Sequence, residues 1–198
     1  MRLDIFLALL TFGVVAGATP GPNNMMLMAS GVNFGVRRSL PHLIGVVLGF
    51  TLMVALVGFG LDAIFRLAPW ALPAMRWAGA AYLVWLAWRI ANSGALRERA
   101  AAARPLGALG AAAFQWINPK GWVMAVSALT TYAVSPNYGL SVIVVAATFL
   151  LIGFPCSGIW LLFGASMRRF LADPRRARPF NFAMAALLIA SIAPVFWE

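Results

Sequence analysis

Two short stretches of this chain combine residue types that an apolar sequence has little use for unless they do chemistry. Residues 19–24 read TPGPNN between VVAGA and MMLMA, and residues 115–120 read QWINPK. Proline has no N–H, so Pro20 and Pro22 leave the carbonyls of Ala16 and Ala18 without helical donors, and Pro119 does the same for Gln115. Unpaired backbone groups are tolerated at membrane depth only where they face protein or water. Gly21 lets a ligand or another backbone come close. Asn23, Asn24, Gln115 and Asn118 add amide donors and acceptors beside the freed carbonyls. Such a patch can receive a zwitterion, because helix ends at a break offer partial positive charge to a carboxylate and partial negative charge to an ammonium. The candidate substrate path is therefore Pro20, Gly21, Pro22, Asn23, Asn24, Gln115, Asn118, Pro119 and Lys120. The competing reading is structural: the prolines kink packed helices and the amides hydrogen-bond between them.

Two side chains sharpen the chemistry. Lys120 sits within or at the edge of an apolar segment, where it either binds a substrate carboxylate, steadies the broken helix end, or snorkels to the cytoplasmic surface. His42, just after Pro41, is the one side chain that titrates near neutrality and is the candidate proton site, against the plainer reading of a structural histidine. No aspartate or glutamate falls deep in an apolar segment, so a carboxylate proton relay is not expected. The single cysteine, Cys156, excludes an internal disulfide and reads as a small packing residue. No metal-ligand cluster, nucleophile triad or phosphate loop is legible, so neither an enzyme nor a cofactor or metal is expected.

The elements that must hold these residues are membrane spans. The 198 residues are 63% hydrophobic and 10% charged, too few charges to cover a soluble surface. Six apolar segments stand out at 4–31, 40–61, 70–91, 107–134, 139–168 and 178–197. Segments one, four and five are long and carry internal proline (Pro20 and Pro22, Pro119, Pro155), so these helices should be broken or kinked. The start resembles a signal peptide in Arg2, the apolar stretch 5–15 and the small residues Ala16 and Ala18. Asp4 and the resumption of hydrophobicity at Met25 predict instead that it is retained. The net charge of +10 does not imply a nucleic-acid partner, because eleven arginines fall in loops one, three and five and only Arg2, Arg66 and Arg76 on the opposite side. The asymmetry predicts cytoplasmic odd loops and both termini outside. Three spans on either side of a basic central loop have opposite orientations. TPGPNN and QWINPK then occupy matching places, with Asn23 and Asn118 at 95 residues' separation. The expectation is an all-α integral membrane protein of six transmembrane helices, built as two inverted three-helix repeats, 1–100 and 101–198, with broken or kinked helices 1, 4 and 5.

TPGPNN followed by Gly31, Gly35, Arg37 and Arg38, the third-span run WAGAAYLVWLAWRIA (77–91), Gln115 with Asn118-Pro119-Lys120, and FNFAMAALLIA (180–190) resemble the lysine exporter (LysE/RhtB) family. The likeness covers nearly the whole chain; a short, Ala-rich 92–106 loop and Ala185 depart from it. The resemblance implies a bacterial inner-membrane secondary transporter that exports a small amino acid or derivative, of the cysteine/O-acetylserine, threonine or homoserine type, coupled to protons. It carries Pro20, Gly21, Pro22 and Asn23 to the first-span motif, and Asn118 and Lys120 to the second. The expected partners are that small-molecule substrate and the lipid bilayer; a homo-oligomer is left open. The alternatives are a channel or carrier for a small cation, which usually shows inward carboxylates, or a non-transporting membrane partner protein.

Overall fold

Proline and glycine punctuate this chain into helices more sharply than hydropathy does. A computed structural model describes residues 1–61, 70–92, 105–133 and 136–190. Seven α-helices lie among the described residues: α1 (Leu3–Ala18), α2 (Pro22–Leu56), α3 (Ala71–Ala91), α4 (Ala108–Phe114), α5 (Pro119–Tyr132), α6 (Tyr138–Met167) and α7 (Pro174–Ala190). Single turns of other helix types follow α2 (Val57–Leu61), α4 (Gln115–Ile117) and α6 (Phe170–Ala172). Arg66, Arg97, Arg99 and Arg104, part of the charge count above, lie outside the described residues, as do Asp62, Glu98 and the end of the sixth segment beyond residue 190.

The first and fourth segments are both broken as expected. TPG separates α1 from α2, and a 3₁₀ turn with extended Asn118 separates α4 from α5. Pro22 and Pro119 each take the first helical position, where a missing N–H costs nothing. By helix position Pro119 therefore matches Pro22, so Lys120 matches Asn23 and Asn118 matches Gly21. This is two residues from the Asn23–Asn118 register expected from the motifs.

Two expectations differ. A loop was expected over 32–39, but helix continues to both sides of Gly35 alone (φ 74°, ψ 174°), a conformation open essentially only to glycine. The chain reverses there. Ser30 and Ser39 would be ~13 Å apart along a straight helix, yet their hydroxyls hydrogen-bond at 2.7 Å. Residues 22–34 and 36–56 are thus two arms of a hairpin, and Arg168 at the end of α6 lies beside its turn. The second difference is α6, expected to be broken or kinked: helical dihedrals continue through Pro155, so it is not broken. One proline removes a single N–H from a thirty-residue helix, whereas TPGPN combines two prolines with a glycine.

The packing pairs run in a regular pattern. α1 and the first arm of α2 follow α6 in the same direction: Gly13 against Ile152, Gly17 against Cys156, and Gly31 against Leu161 and Ala165. The second arm of α2 follows α4 and α5 in the same direction: Gly45 against Ala108, Gly49 against Ala112, and Gly58 beyond it against Leu129. α3 packs on α7 through Ala80, Leu83 and Ala87 against Met184, Ala185 and Leu188. At Gly31, Gly45 and Gly49 the close neighbour is backbone, where a side chain would collide, the usual device of helix association in lipid.

Among the described residues the long helices expose large apolar side chains, while several polar ones are buried within an apolar core. Leu151 and Ile159 are 73% and 62% exposed on α6, while Ser39, Gln115 and Asn118 are buried. Exposed apolar side chains along whole helices suit a lipid solvent. The Pro22–Gly60 stretch and α6 are long and apolar enough to cross a membrane. α1 and Ala108–Ile117 are apolar but shorter, because the breaks cut their spans.

Candidate functional site

The last four carbonyls of any helix lack intrahelical donors, and at the end of α1 the prolines remove the backbone alternatives. Thr19 N–H still reaches Val15 O (3.1 Å), and side chains supply the carbonyls after it. The Thr19 hydroxyl donates to Ala16 O (2.8 Å) and Trp160 Nε1 to Ala18 O (3.1 Å). Asn24 Nδ2 donates to both Gly17 O (2.8 Å) and Thr19 O (2.9 Å). The Lys120 ammonium completes the set, donating to Thr19 O (2.9 Å), Thr19 Oγ1 (2.8 Å) and Pro20 O (3.2 Å). A cation at a helix C-terminus also meets the negative end of the helix dipole. Of the roles open to it, Lys120 takes the broken helix end and does not reach away from it.

The second break is joined to the first. Asn23 Nδ2 donates to Gln115 Oε1 (2.8 Å) and Gln115 Nε2 donates back to Asn23 Oδ1 (3.2 Å). Gln115 Nε2 also donates to Ala111 O, which anchors the fully buried side chain to its own helix. The Gln115 carbonyl, expected to be left free by Pro119, accepts from Asn118 N–H at 3.2 Å in the 3₁₀ turn. Asn118 is 2% exposed, and its Oδ1 has no hydrogen-bond partner. Neither it nor Gly21 caps the helix that follows, so the first-turn N–H groups of α2 and α5 carry no side-chain cap.

Six of the nine predicted path residues line one cavity of about 60 Å³: Gly21, Pro22, Asn23, Asn24, Asn118 and Lys120. Roughly four to six waters, or one small amino acid, fit such a space at ~10–15 Å³ per water. Pro20, Gln115 and Pro119 are not among its lining residues; Pro20 and Gln115 hydrogen-bond residues that are. His42 is not among the lining residues. It is buried on α2 with neither ring nitrogen hydrogen-bonded, one turn before Val46, which does line the cavity.

The far wall was missed by sequence reasoning. Gly153, Cys156 and Ser157 of α6 face the cavity with Phe149 and Ile152, and Phe50 and Met124 close its apolar side. The available signal was G-F-P-C-S-G at 153–158, a small and polar run around a proline already singled out. Cys156 packs closely, its thiol 3.9 Å from Val14 O, so the expectation of a small packing residue describes it but omits that it also lines the cavity. The geometry offers a cation, two helix N-termini and amide side chains around one partly open, largely apolar space. That arrangement can bind and orient a small zwitterion; the lining holds no acid, and its one thiol has no base beside it.

The family description LysE type translocator matches residues 14–197. Among curated proteins, the chain is 34% identical over 201 residues to the cysteine/O-acetylserine efflux protein of Escherichia coli (strain K12), with 100% of each chain covered. It is 35% identical over 191 residues to the protein of the same description from Shigella flexneri, covering 94% of this chain and 95% of the relative. No solved structure matches.

Proposed function

The chain belongs to the LysE type translocator family, and from that premise we propose that it exports a small amino acid or amino-acid derivative through the cavity between its two helix breaks. A member of this family is a membrane transporter with a small-molecule substrate and not an enzyme. The observation that carries the finer reading is the meeting of TPGPNN and QWINPK: side chains of each break close on the other at one cavity.

Cysteine and O-acetylserine, named in the relatives' descriptions, are the substrates proposed first. The cavity volume favours a short side chain, and the absence of a lining carboxylate disfavours a basic one. The α-carboxylate is served by Lys120 and the first turns of α2 and α5, and the ammonium by Asn118 Oδ1 and the carbonyls ending α1.

The two-halves reading extends the proposal to alternating access in the inner membrane. Exchanging segments one with four, two with five and three with six maps the packing of α1–α2 on α6 onto that of α4–α5 on the second arm of α2, and returns the α3–α7 pair to itself. The broken segments run antiparallel to each other, as inverted repeats do. Arg168 beside Gly35 supports a common cytoplasmic side for the first and fifth loops. Proton coupling is part of the proposal, with His42 as the titrating side chain.

The test is efflux from bacterial cells overexpressing the chain, measured over an amino-acid panel that includes cysteine and O-acetylserine, beside Asn118→Ala and Lys120→Ala. Wild type should raise extracellular substrate and both variants should lower it at equal membrane level. Unchanged efflux in both variants would remove the site assignment, and no efflux of any panel member would remove the exporter reading. Collapse of the proton gradient, and His42→Gln, should each slow export if coupling runs through His42.

A further inference from the structure

Lys120 is placed where a substrate's own ammonium group would go. Its Nζ lies on three oxygens at the end of α1, at 2.8, 2.9 and 3.2 Å. Among the described residues no carboxylate pairs with it, so a full positive charge is neutralised only by carbonyl and hydroxyl dipoles and by the negative helix end. Gly21 makes the posture possible: a Cβ there would lie 2.7 Å from Lys120 Cδ and 3.0 Å from Nζ. The stem is flexible and only half-buried, so the contact is one the side chain can leave.

We propose that these oxygens form the ammonium subsite of the carrier, and that Lys120 occupies it while the carrier is empty. Substrate binding is then an exchange of cations. The incoming α-ammonium takes Thr19 O, Thr19 Oγ1 and Pro20 O, which Lys120, itself a cavity-lining residue, covers while the carrier is empty. The displaced Lys120 ammonium takes the α-carboxylate at the start of α5, where the helix dipole is also favourable. No proton moves and no charge is left unpaired when the ligand carries both groups. An amine without a carboxylate has to expel Lys120 and offers it no anion. A carboxylate without an ammonium draws Lys120 away and leaves three oxygens bare. The ligand class is thus a free α-amino acid with both charges intact and a side chain small enough for the space between Gly17 and Ser157.

The inference rests on the exporter reading above, and binding to the purified wild-type chain separates the two. Affinities would be measured from ligand-induced thermal shifts for L-cysteine, for cysteamine, which lacks the carboxylate, and for 3-mercaptopropionate, which lacks the ammonium. Wild type should bind both single-charge probes at least about tenfold more weakly than L-cysteine. In Lys120→Met the subsite stands open and the anion partner is gone, so cysteamine should come within about threefold of L-cysteine. In Gly21→Ala the new methyl pushes Lys120 off its oxygens without removing the charge, and 3-mercaptopropionate should bind at least about threefold more tightly than to wild type.

Should Lys120→Met fail to fold, the Gly21→Ala arm decides alone. A cysteamine-to-cysteine ratio unchanged in Lys120→Met, or 3-mercaptopropionate indifferent to Gly21→Ala, overturns the exchange. Wild-type protein that binds none of the three overturns both the exporter reading of the cavity and this inference.

Discussion

The Asn23–Gln115 pair joins the two helix breaks, and a double-mutant cycle measures the joint. Asn23→Ala leaves the fully buried Gln115 with Oε1 unpaired and Nε2 with only the Ala111 carbonyl. One orphaned buried acceptor costs about 1–3 kcal/mol. Gln115→Ala leaves both polar atoms of the Asn23 amide without that partner, but Asn23 is half-buried on the cavity where water reaches it. Its cost should fall near the low end, about 1 kcal/mol. Interhelical hydrogen bonds in membrane proteins average ~0.6 kcal/mol by such cycles, with a maximum near ~1.7. Two bonds, one end fully dry, therefore give an expected coupling of about 1–2 kcal/mol, or five- to thirtyfold in the unfolding constant. The assay is unfolding of the detergent-purified chain in denaturant, followed by tryptophan fluorescence, for wild type, both singles and the double. Single costs that add to the double within ~0.5 kcal/mol would refute the claim that the breaks hold each other.

Other expectations follow from backbone geometry and charge. Gly35→Ala forces a side chain into φ 74°, ψ 174° and should lower stability by ~1–3 kcal/mol in the same unfolding assay; an unchanged midpoint would mean the hairpin turn does not need glycine. Gly164→Ala puts a methyl onto the Met28 carbonyl oxygen. It should destabilise by ~1–3 kcal/mol, whereas Gly158→Ala, which meets nothing within 4 Å, should stay within about 0.5 kcal/mol of wild type. A periplasmic reporter fused after Glu198 should be active, as the distribution of basic loops requires, and a cytoplasmic one inactive; the reverse pattern would overturn the proposed orientation.

What the sequence made legible and what it hid divide along physical lines. The breaks could be read at Pro20, Pro22 and Pro119 because proline deletes a donor wherever it stands. Their satisfaction could not. Asn24, Trp160 and Lys120 reach the end of α1 from 5 to 142 residues away, and such partners are set by packing alone. Gly35 was visible within a motif, but a single residue reversing a helix looks in hydropathy like a short polar loop. At Pro155 the helix is not broken, since a lone proline inside a long packed helix loses one hydrogen bond without ending it. Ser157 and Gly153 escaped because an apolar helix with a few small residues reads alike whether it faces lipid, protein or a cavity. Both Asn24 donor bonds go to carbonyls at the end of α1, one on Gly17 and one on Thr19, and so tie the break together.

The central claim is that the cavity between the breaks carries the substrate, and Cys156 tests it without mutation. It is the sole cysteine of the chain and it lines that cavity. The measurement is the rate of modification of Cys156 in membranes by a small methanethiosulfonate, with and without O-acetyl-L-serine, followed by export from the modified protein. Substrate should slow modification severalfold, and modified protein should lose at least about tenfold in export rate, since one added group fills much of a 60 Å³ space. Complete modification at a rate indifferent to substrate, with export unchanged, would contradict that claim.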